Sequence, residues 1–170
     1  GGGIHYQKGE VGDDAAPLGG NDEITVWTID GSVEMDGFNL FVAYFGASTE
    51  IDTTGTSLDS DPWGVQVQAG YQIPDVGPGI LEPFLRWEFI DIDDLAAAGS
   101  ESELNIITVG ANYYFKKHAA KFTMDVVIGL DELTDHPGLS SGAGLKGGTG
   151  TGATAEDGEV SLRTQYQLLF

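Results

Sequence analysis

The sequence predicts an all-β protein whose strands run antiparallel, up and down, and three observations support this prediction. Apolar and polar side chains alternate with a period of two along most of the chain. The 26 glycines favour turns and curved strands over helices. The connections between alternating segments are short and long in turn, as expected when tight turns join antiparallel strands at one end of a sheet.

The alternation is clearest in WGVQVQAGYQI at residues 63–73, where Trp63, Val65 and Val67 share one face and Gln66 and Gln68 share the other. The segment 37–47 is apolar on both faces for several residues, which leaves its register open. Eight candidate strands follow from the pattern: 4–8, 24–35, 37–47, 63–73, 79–89, 103–115, 121–130 and 160–170.

The connections differ in charge as well as in length. The short ones are predicted at 36–37, 74–78 and 116–118, and the long ones at 9–23, 49–62, 91–102 and 132–157. The long connections hold 17 of the 27 acidic residues and a single base, Lys146. One end of the molecule is therefore expected to be strongly acidic.

Strand length and the placement of aromatic residues favour a membrane barrel. Ten or eleven residues per strand match the ~9–11 that a tilted strand needs to cross the hydrocarbon core of a bilayer. Aromatic side chains near strand ends would form interfacial girdles. These are Trp63, Tyr71, Trp87, Phe89, Tyr113, Phe115, Tyr166 and Phe170. We therefore expect a single-domain transmembrane antiparallel up-and-down β-barrel over residues 1–170, with a soluble β-sandwich as the alternative.

Composition excludes several functions. A net charge of −20 would repel nucleic acid phosphates, so no nucleic acid partner is expected. The absence of cysteine excludes disulfides, cysteine zinc sites and thiol catalysis. Seventeen aromatic residues argue against a disordered acidic chain.

Two features favour half of a larger barrel over a complete eight-stranded one. The first candidate strand, 4–8, is short and follows three glycines, so it would pair poorly along 160–170. Small residues at inward positions suit a water-filled channel better than a packed interior. They are Gly64, Gly70, Thr108, Gly110, Thr123, Gly129 and Ser161. A chain truncated before Gly1 is expected, and a complete eight-stranded barrel with a structural or adhesive role is the alternative.

The last 70 residues carry a resemblance to a known family. LNIITVGANYYFKKHAAKFTMDVVIG, a long loop and VSLRTQYQLLF are similar to the last three strands of the phosphate-selective porin O and P family. The matching residues are Thr108, Gly110, Asn112, Tyr113, Tyr114, His118, Lys121, Thr123, Asp125, Arg163, Gln165 and Phe170.

The resemblance implies a sixteen-stranded, usually trimeric diffusion channel in a Gram-negative outer membrane, with this chain as its C-terminal eight strands. Implied partners are outer-membrane lipid and lipopolysaccharide, the barrel-assembly machinery and two further copies of the protein. Phe170 resembles the C-terminal assembly signal of such porins. The expected function is passive diffusion of small hydrophilic solutes or ions through a water-filled channel. The preferred charge of the solute stays open, because anion selection needs a row of lumen bases and few are present.

Six charged residues are candidate pore-lining residues: Glu82, Arg86, Glu88, Lys121, Asp125 and Arg163. Opposed charges across a wide pore would create a transverse field that filters solutes. Alternatively, these residues form cross-strand pairs that satisfy one another, each contributing ~0.2–1 kcal/mol.

Other chemistry is weakly supported, and neither enzymatic activity nor a cofactor is expected. Asp52, Asp59 and Asp61 form a weak candidate for loosely bound Ca²⁺ but lack the spacing of an EF-hand loop. Residues 144–158 are glycine-rich without a phosphate-binding sequence. Asp135, His136 and Ser140 or Ser141 lie in one loop with nothing to orient them as a hydrolase triad.

Overall fold

The computed structural model describes residues 1–13, 16–53, 56–92, 103–115, 120–131 and 159–168. Over these ranges the regular elements are all β-strands, and no helix is present that is long and apolar enough to span a membrane. Every pair of neighbouring strands is antiparallel. The prediction of an all-β, antiparallel fold is confirmed.

In the described ranges, ten strands form one sheet. They are β1 (Gly2–Asp13), β2 (Ala16–Met35), β3 (Phe38–Thr53), β4 (Thr56–Ser60), β5 (Trp63–Tyr71), β6 (Ile73–Val76), β7 (Gly79–Asp91), β8 (Glu103–Tyr114), β9 (Ala120–Gly129) and β10 (Val160–Leu168). The strand order is β1-β2-β3-β5-β7-β8-β9-β10, with β4 paired to β3 and β6 paired to β7. The eight strands of the main path correspond to the eight predicted segments. The sheet is open, with β1 and β10 at its edges.

Continuous register separates the side chains into two faces. Val42, Val67, Trp87, Ile107 and Ile128 are direct partners along one row across β3, β5, β7, β8 and β9. Because direct partners point to the same side of a sheet, this row defines one face, here called the outer face. The opposite side is called the inner face.

The register of β3, which the sequence left open, follows from its partners. Met35 pairs with Phe38, and Val33 pairs with Leu40. Phe38, Leu40, Val42 and Tyr44 therefore lie on the outer face, with the intervening residues on the inner face.

The short connections begin where the predicted turns lie. Asp36 and Gly37 have φ angles of 50° and 85°, so the 36–37 turn is left-handed at both positions. The connection at 74–78 is tighter than expected, because β6 runs to Val76 and Val76 pairs with Gly79. Residues 116–118 lie outside the described residues; a 2.9 Å hydrogen bond from the backbone N of Phe115 to the carbonyl O of Ala120 brackets them.

Two of the four predicted long loops are wrong. The segment 9–23 belongs to a hairpin in which β1 and β2 stay paired as far as Asp13 and Ala16. The segment 49–62 belongs largely to a second hairpin, in which β3 and β4 pair as far as Thr53 and Thr56. Backbone hydrogen bonds alone can continue a ladder where the side chains no longer alternate, so side-chain alternation does not predict these hairpins. Residues 93–102 and 132–157 lie outside the described residues.

Strand lengths change accordingly. β2 has 20 residues and β3 has 16, instead of the expected ten or eleven. β1 has 12 residues instead of the five of segment 4–8. The argument that the first strand is too short to pair along β10, which has nine residues, therefore fails.

Packing differs between the faces. A small cluster of buried apolar side chains, Leu104, Ile106 and Val127 with Ile90 against it, lies on the inner face. The exposed large apolar side chains lie on the outer face, with Val26 as the exception. Among them are Ile29, Val33, Met35, Tyr44, Tyr71, Leu85, Trp87, Val109, Phe122, Met124, Leu162 and Tyr166. The described chain has no second layer that covers this face.

The 36–37 turn provides a test of the fold. We expect Gly37→Ala to lower the free energy of unfolding by about 1–3 kcal/mol, because a Cβ at φ 85° is strained and would lie 3.0 Å from the carbonyl O of Gln72. Urea titration followed by tryptophan fluorescence measures this change. Gly31→Ala is the control, since a Cβ there meets no atom within 4 Å. Equal losses in the two variants would contradict the turn geometry.

Candidate functional site

The inner face lines an open hollow of about 820 Å³ between β5 and β10. Five of the six predicted pore-lining residues contribute to its wall: Arg86, Glu88, Lys121, Asp125 and Arg163. The sixth, Glu82, is bonded to Asn112, which also lines the hollow. The structure therefore brings together all six residues, which come from three strands, β7, β9 and β10.

Asp125 and Arg163 form a direct cross-strand ion pair. They are register partners on β9 and β10, and Nε of Arg163 donates to Oδ1 of Asp125 at 2.7 Å. The Asp125 side chain is 10% exposed and that of Arg163 is 32% exposed. A charge-assisted hydrogen bond of this length in a largely shielded site fixes both side chains against the wall.

Arg86 and Glu88 pair along one strand. They lie two residues apart on β7, so both point to the inner face, and Nε of Arg86 is 2.9 Å from Oε2 of Glu88. The Nε–H hydrogen is not directed at an acceptor, so this contact is an ion pair rather than an aligned hydrogen bond. Nη2 of Arg86 donates to Oγ1 of Thr108 on β8 at 3.4 Å.

Glu82 accepts hydrogen bonds from three neutral side chains. Nε2 of Gln72 donates to Oε2 at 3.0 Å, and Oε1 accepts from Nδ2 of Asn112 at 2.9 Å and from the hydroxyl of Tyr114 at 3.2 Å. Thr123 adds a further hydrogen bond, because its Oγ1 donates to Oδ1 of Asn112 at 2.7 Å. These residues are here called the Glu82 network, in which Gln72, Asn112 and Tyr114 donate directly to one carboxylate.

Two glycines keep aromatic rings close to the wall of the inner face. A Cβ on Gly110 would lie 2.8 Å from Cζ of Phe84, and a Cβ on Gly64 would lie 2.6 Å from Cζ of Phe45. The rings therefore lie across the glycines instead of projecting into the hollow. The small inward residues in the sequence thus accommodate neighbouring rings as well as leaving space.

Lys121 lines the hollow, and the described part of the chain shows no ion pair for it. Two of the three inner bases are paired with carboxylates and one is not. The structure therefore contains the cross-strand pairing that was the alternative explanation for these residues, while their role as pore-lining groups stays a prediction.

The weak calcium candidate is not assembled among the residues whose side chains are described. Asp59 pairs with Glu50 and is exposed, and Asp61 follows β4. Asp52 lies in β3 opposite Ser57, but its side chain is not described. Within the described side chains no group of three or more His, Asp or Glu residues could hold a metal ion.

Several predicted residues lie outside the described residues. These are Phe170, His118, Lys146, Asp135, His136, Ser140, Ser141 and the segment 144–158. Their assigned roles stay predictions.

The sequence did not identify Gln72 as a member of the site. Gln72 lies on the polar face of the best alternating segment, but its bond to Glu82 depends on how β6 folds back on β7. Asn112, Tyr114 and Thr123 were named only as part of the family resemblance. Cross-strand register is the signal that would have placed them beside Glu82.

The Asp125–Arg163 pair can be tested with a double-mutant cycle of Asp125→Asn and Arg163→Gln. We expect a coupling free energy of about 1–3 kcal/mol, because the hydrogen bond is charge-assisted and largely shielded. Urea unfolding of the four proteins measures it. The matched control is the Lys8–Glu23 pair, which is exposed and should couple much more weakly. Indistinguishable coupling in the two pairs would contradict the proposed shielding.

Comparisons with known proteins leave the family open. No family model matches the chain, and no solved structure matches it. An uncharacterized protein of Aquifex aeolicus (strain VF5) is 31% identical over 126 residues, which cover 74% of this chain and 30% of that protein. The chain thus matches less than a third of the length of this curated relative.

Proposed function

We propose that the chain forms part of the wall of a transmembrane β-barrel channel in an outer membrane, through which small hydrophilic solutes or ions diffuse passively. One observation carries this proposal. Between two rows of aromatic side chains, the described part of the outer face has no charged residue, while all charged side chains at the same levels lie on the inner face.

The upper aromatic row crosses four strands. Ring centroids are 4.8 Å apart for Trp27 and Tyr44, 5.9 Å for Tyr44 and Trp63, and 5.2 Å for Trp63 and Phe89. Trp87 lies two residues from Phe89 on the same strand and face, with its ring centroid 6.3 Å from that of Phe89. Aromatic residues with one apolar and one polar edge favour the boundary between lipid and water.

A second aromatic group lies near the short turns. The ring centroid of Phe115 is 4.7 Å from that of Tyr113 and 6.4 Å from that of Tyr166. Phe89 is level with Asn105, ten residues before Phe115 on β8. At ~3.3 Å per residue the rows are about 33 Å apart along the strand, or about 25 Å along the membrane normal at a tilt of ~40°. This matches the apolar band of ~25 Å in outer-membrane barrels.

The exposed outer face argues against a soluble β-sandwich. A sandwich buries one face of each sheet against a second sheet ~10 Å away. The described chain supplies no such layer for the outer face, on which Leu85 and Val109 are 54% and 50% exposed. Lipid would cover such a face without any protein partner.

The sixteen-stranded arrangement is the form of the barrel that we propose, with this chain contributing eight strands. It rests on the resemblance of the last three strands to phosphate-selective porins, and the longer Aquifex relative leaves room for further strands. As in that family, we propose a trimer assembled through the barrel-assembly machinery, with lipopolysaccharide beside the acidic hairpins.

A complete eight-stranded barrel is the second candidate, and one observation favours it. β1, with 12 residues, is long enough to pair with all nine residues of β10, so the two free edges could close on each other. Such a barrel would have an interior filled by side chains and a structural role.

Conductance distinguishes the two candidates. We expect the full-length natural protein, inserted into a planar lipid bilayer, to give stepwise ohmic openings on the nanosiemens scale, because a sixteen-stranded barrel leaves an aqueous channel. Detergent alone and heat-denatured protein serve as controls. A bilayer that stays silent after verified insertion would contradict the channel and favour the eight-stranded barrel.

Membrane orientation of the two faces can be tested with neighbouring positions. Ala69 lies on the outer face opposite Leu85, midway between the levels of Phe89 and Tyr113, and Gln68, beside it, lines the inner hollow. We expect Ala69→Arg to lower the unfolding free energy in lipid vesicles by about 2–4 kcal/mol, since a charge would meet the middle of the bilayer. Gln68→Arg is the matched control and should have a small effect. Similar losses for both variants would argue against lipid on the outer face.

A further inference from the structure

We propose that the inner face of this sheet favours cations over anions, and that Glu82 supplies the fixed negative charge that establishes the preference. The inference rests on the channel function proposed above. It assigns a substrate class, small hydrated cations, that the resemblance to phosphate-selective porins does not.

Two of the three inner bases, Arg86 and Arg163, offer little net positive charge to the lumen. Arg163 is bonded to Asp125 at 2.7 Å, and Arg86 is 2.9 Å from Glu88. In each pair opposite unit charges lie close together, so their fields largely cancel at the distance of a permeating ion. An anion entering the hollow therefore meets dipoles instead of a row of free guanidinium groups.

Glu82 differs because its partners are neutral. Gln72, Asn112 and Tyr114 stabilise the carboxylate by donating hydrogen bonds, but they bring no positive charge. The side chain is 6% exposed, so solvent screens it poorly. Its field extends into the hollow beside Asn112, and in a water-filled channel this attracts cations.

A second inner carboxylate adds to this charge. Glu34 on β2 is exposed, and no base of the described chain pairs with Glu34 or Glu82. Lys121 is the opposing charge: it pairs in register with Tyr114, which donates to Glu82. Among the described inner residues named here, one base without an ion pair is thus set against two carboxylates without one.

The charge of the whole chain acts in the same direction. With 27 acidic residues against 7 bases, the net charge is −20. Fixed charge of one sign at the mouths of a narrow, low-dielectric passage raises the local concentration of counter-ions. Cations are therefore enriched before they reach the inner face.

The test is the reversal potential of the full-length natural protein in a planar bilayer with an approximately tenfold KCl gradient. We expect a sign that indicates K⁺ permeating faster than Cl⁻. Glu82→Gln should lower the K⁺/Cl⁻ permeability ratio by about two-fold, because it removes the charge while preserving the side-chain volume. The matched double variant Gln72→Glu with Glu82→Gln exchanges the two hydrogen-bonded side chains, so one carboxylate is again present at this bond. We expect it to restore the K⁺/Cl⁻ permeability ratio.

The outcomes separate this inference from the proposed function. A silent bilayer overturns both, whereas an open channel that favours Cl⁻ overturns the cation preference and leaves the channel standing. An unchanged ratio in Glu82→Gln overturns the role of Glu82. If that variant does not assemble, Glu34→Gln, at an exposed position, takes its place, and an unchanged ratio there would contradict the contribution of the inner carboxylates.

Discussion

Continuous register across eight strands is the constraint on which the rest of the structure depends. Side chains in a strand alternate with a period of two, so a slip of one residue between any two neighbours would exchange the faces of every strand beyond it. The row from Val42 through Val67, Trp87 and Ile107 to Ile128 stays apolar across five strands without such a slip. The adjacent row, which contains Gln68, Arg86 and Thr108, stays largely polar.

The sequence predicted this part of the fold because the alternation of apolar and polar side chains leaves a direct signal. It did not predict the long hairpins, since the described residues of segments 9–23 and 49–62 are held largely by backbone pairing and the sequence there lacks the alternation of a half-buried strand. For the candidate site, the sequence likewise predicted which side chains share a face but not which of them bond to one another. Alternation placed Glu82, Arg86 and Glu88 on one face, but the bonds of Glu82 to Gln72 and Asn112 depend on how strands align, which one sequence does not encode locally.

Polar side chains of the inner face bond to one another and still leave an open hollow beside them. Arg163 and Asp125 satisfy each other, and the Glu82 network gathers donors from β8 and the β5–β6 junction onto one carboxylate. Phe84, lying across Gly110, adds apolar area without projecting inward. These contacts hold side chains against the wall, so a hollow of about 820 Å³ remains beside strands that carry many polar groups.

The long hairpins explain how a chain of charge −20 can have an uncharged apolar face. From Trp27 in the upper aromatic row, β2 extends back eleven residues to Ala16, about 36 Å of strand at ~3.3 Å per residue. Lys8 and Glu23 form an ion pair beyond this row, where their hydrogen bond raises the pKa of Lys8 and both groups meet water.

Asp91 and Glu103 on the outer face are level with Trp63 at the boundary itself. Charge in the described strands is thus confined to the inner face or to levels at and beyond the aromatic rows, so in the proposed membrane orientation none of it enters lipid. Because one strand alignment fixes the face and the level of each of these charged residues, a strongly acidic chain keeps its outer face apolar between the aromatic rows.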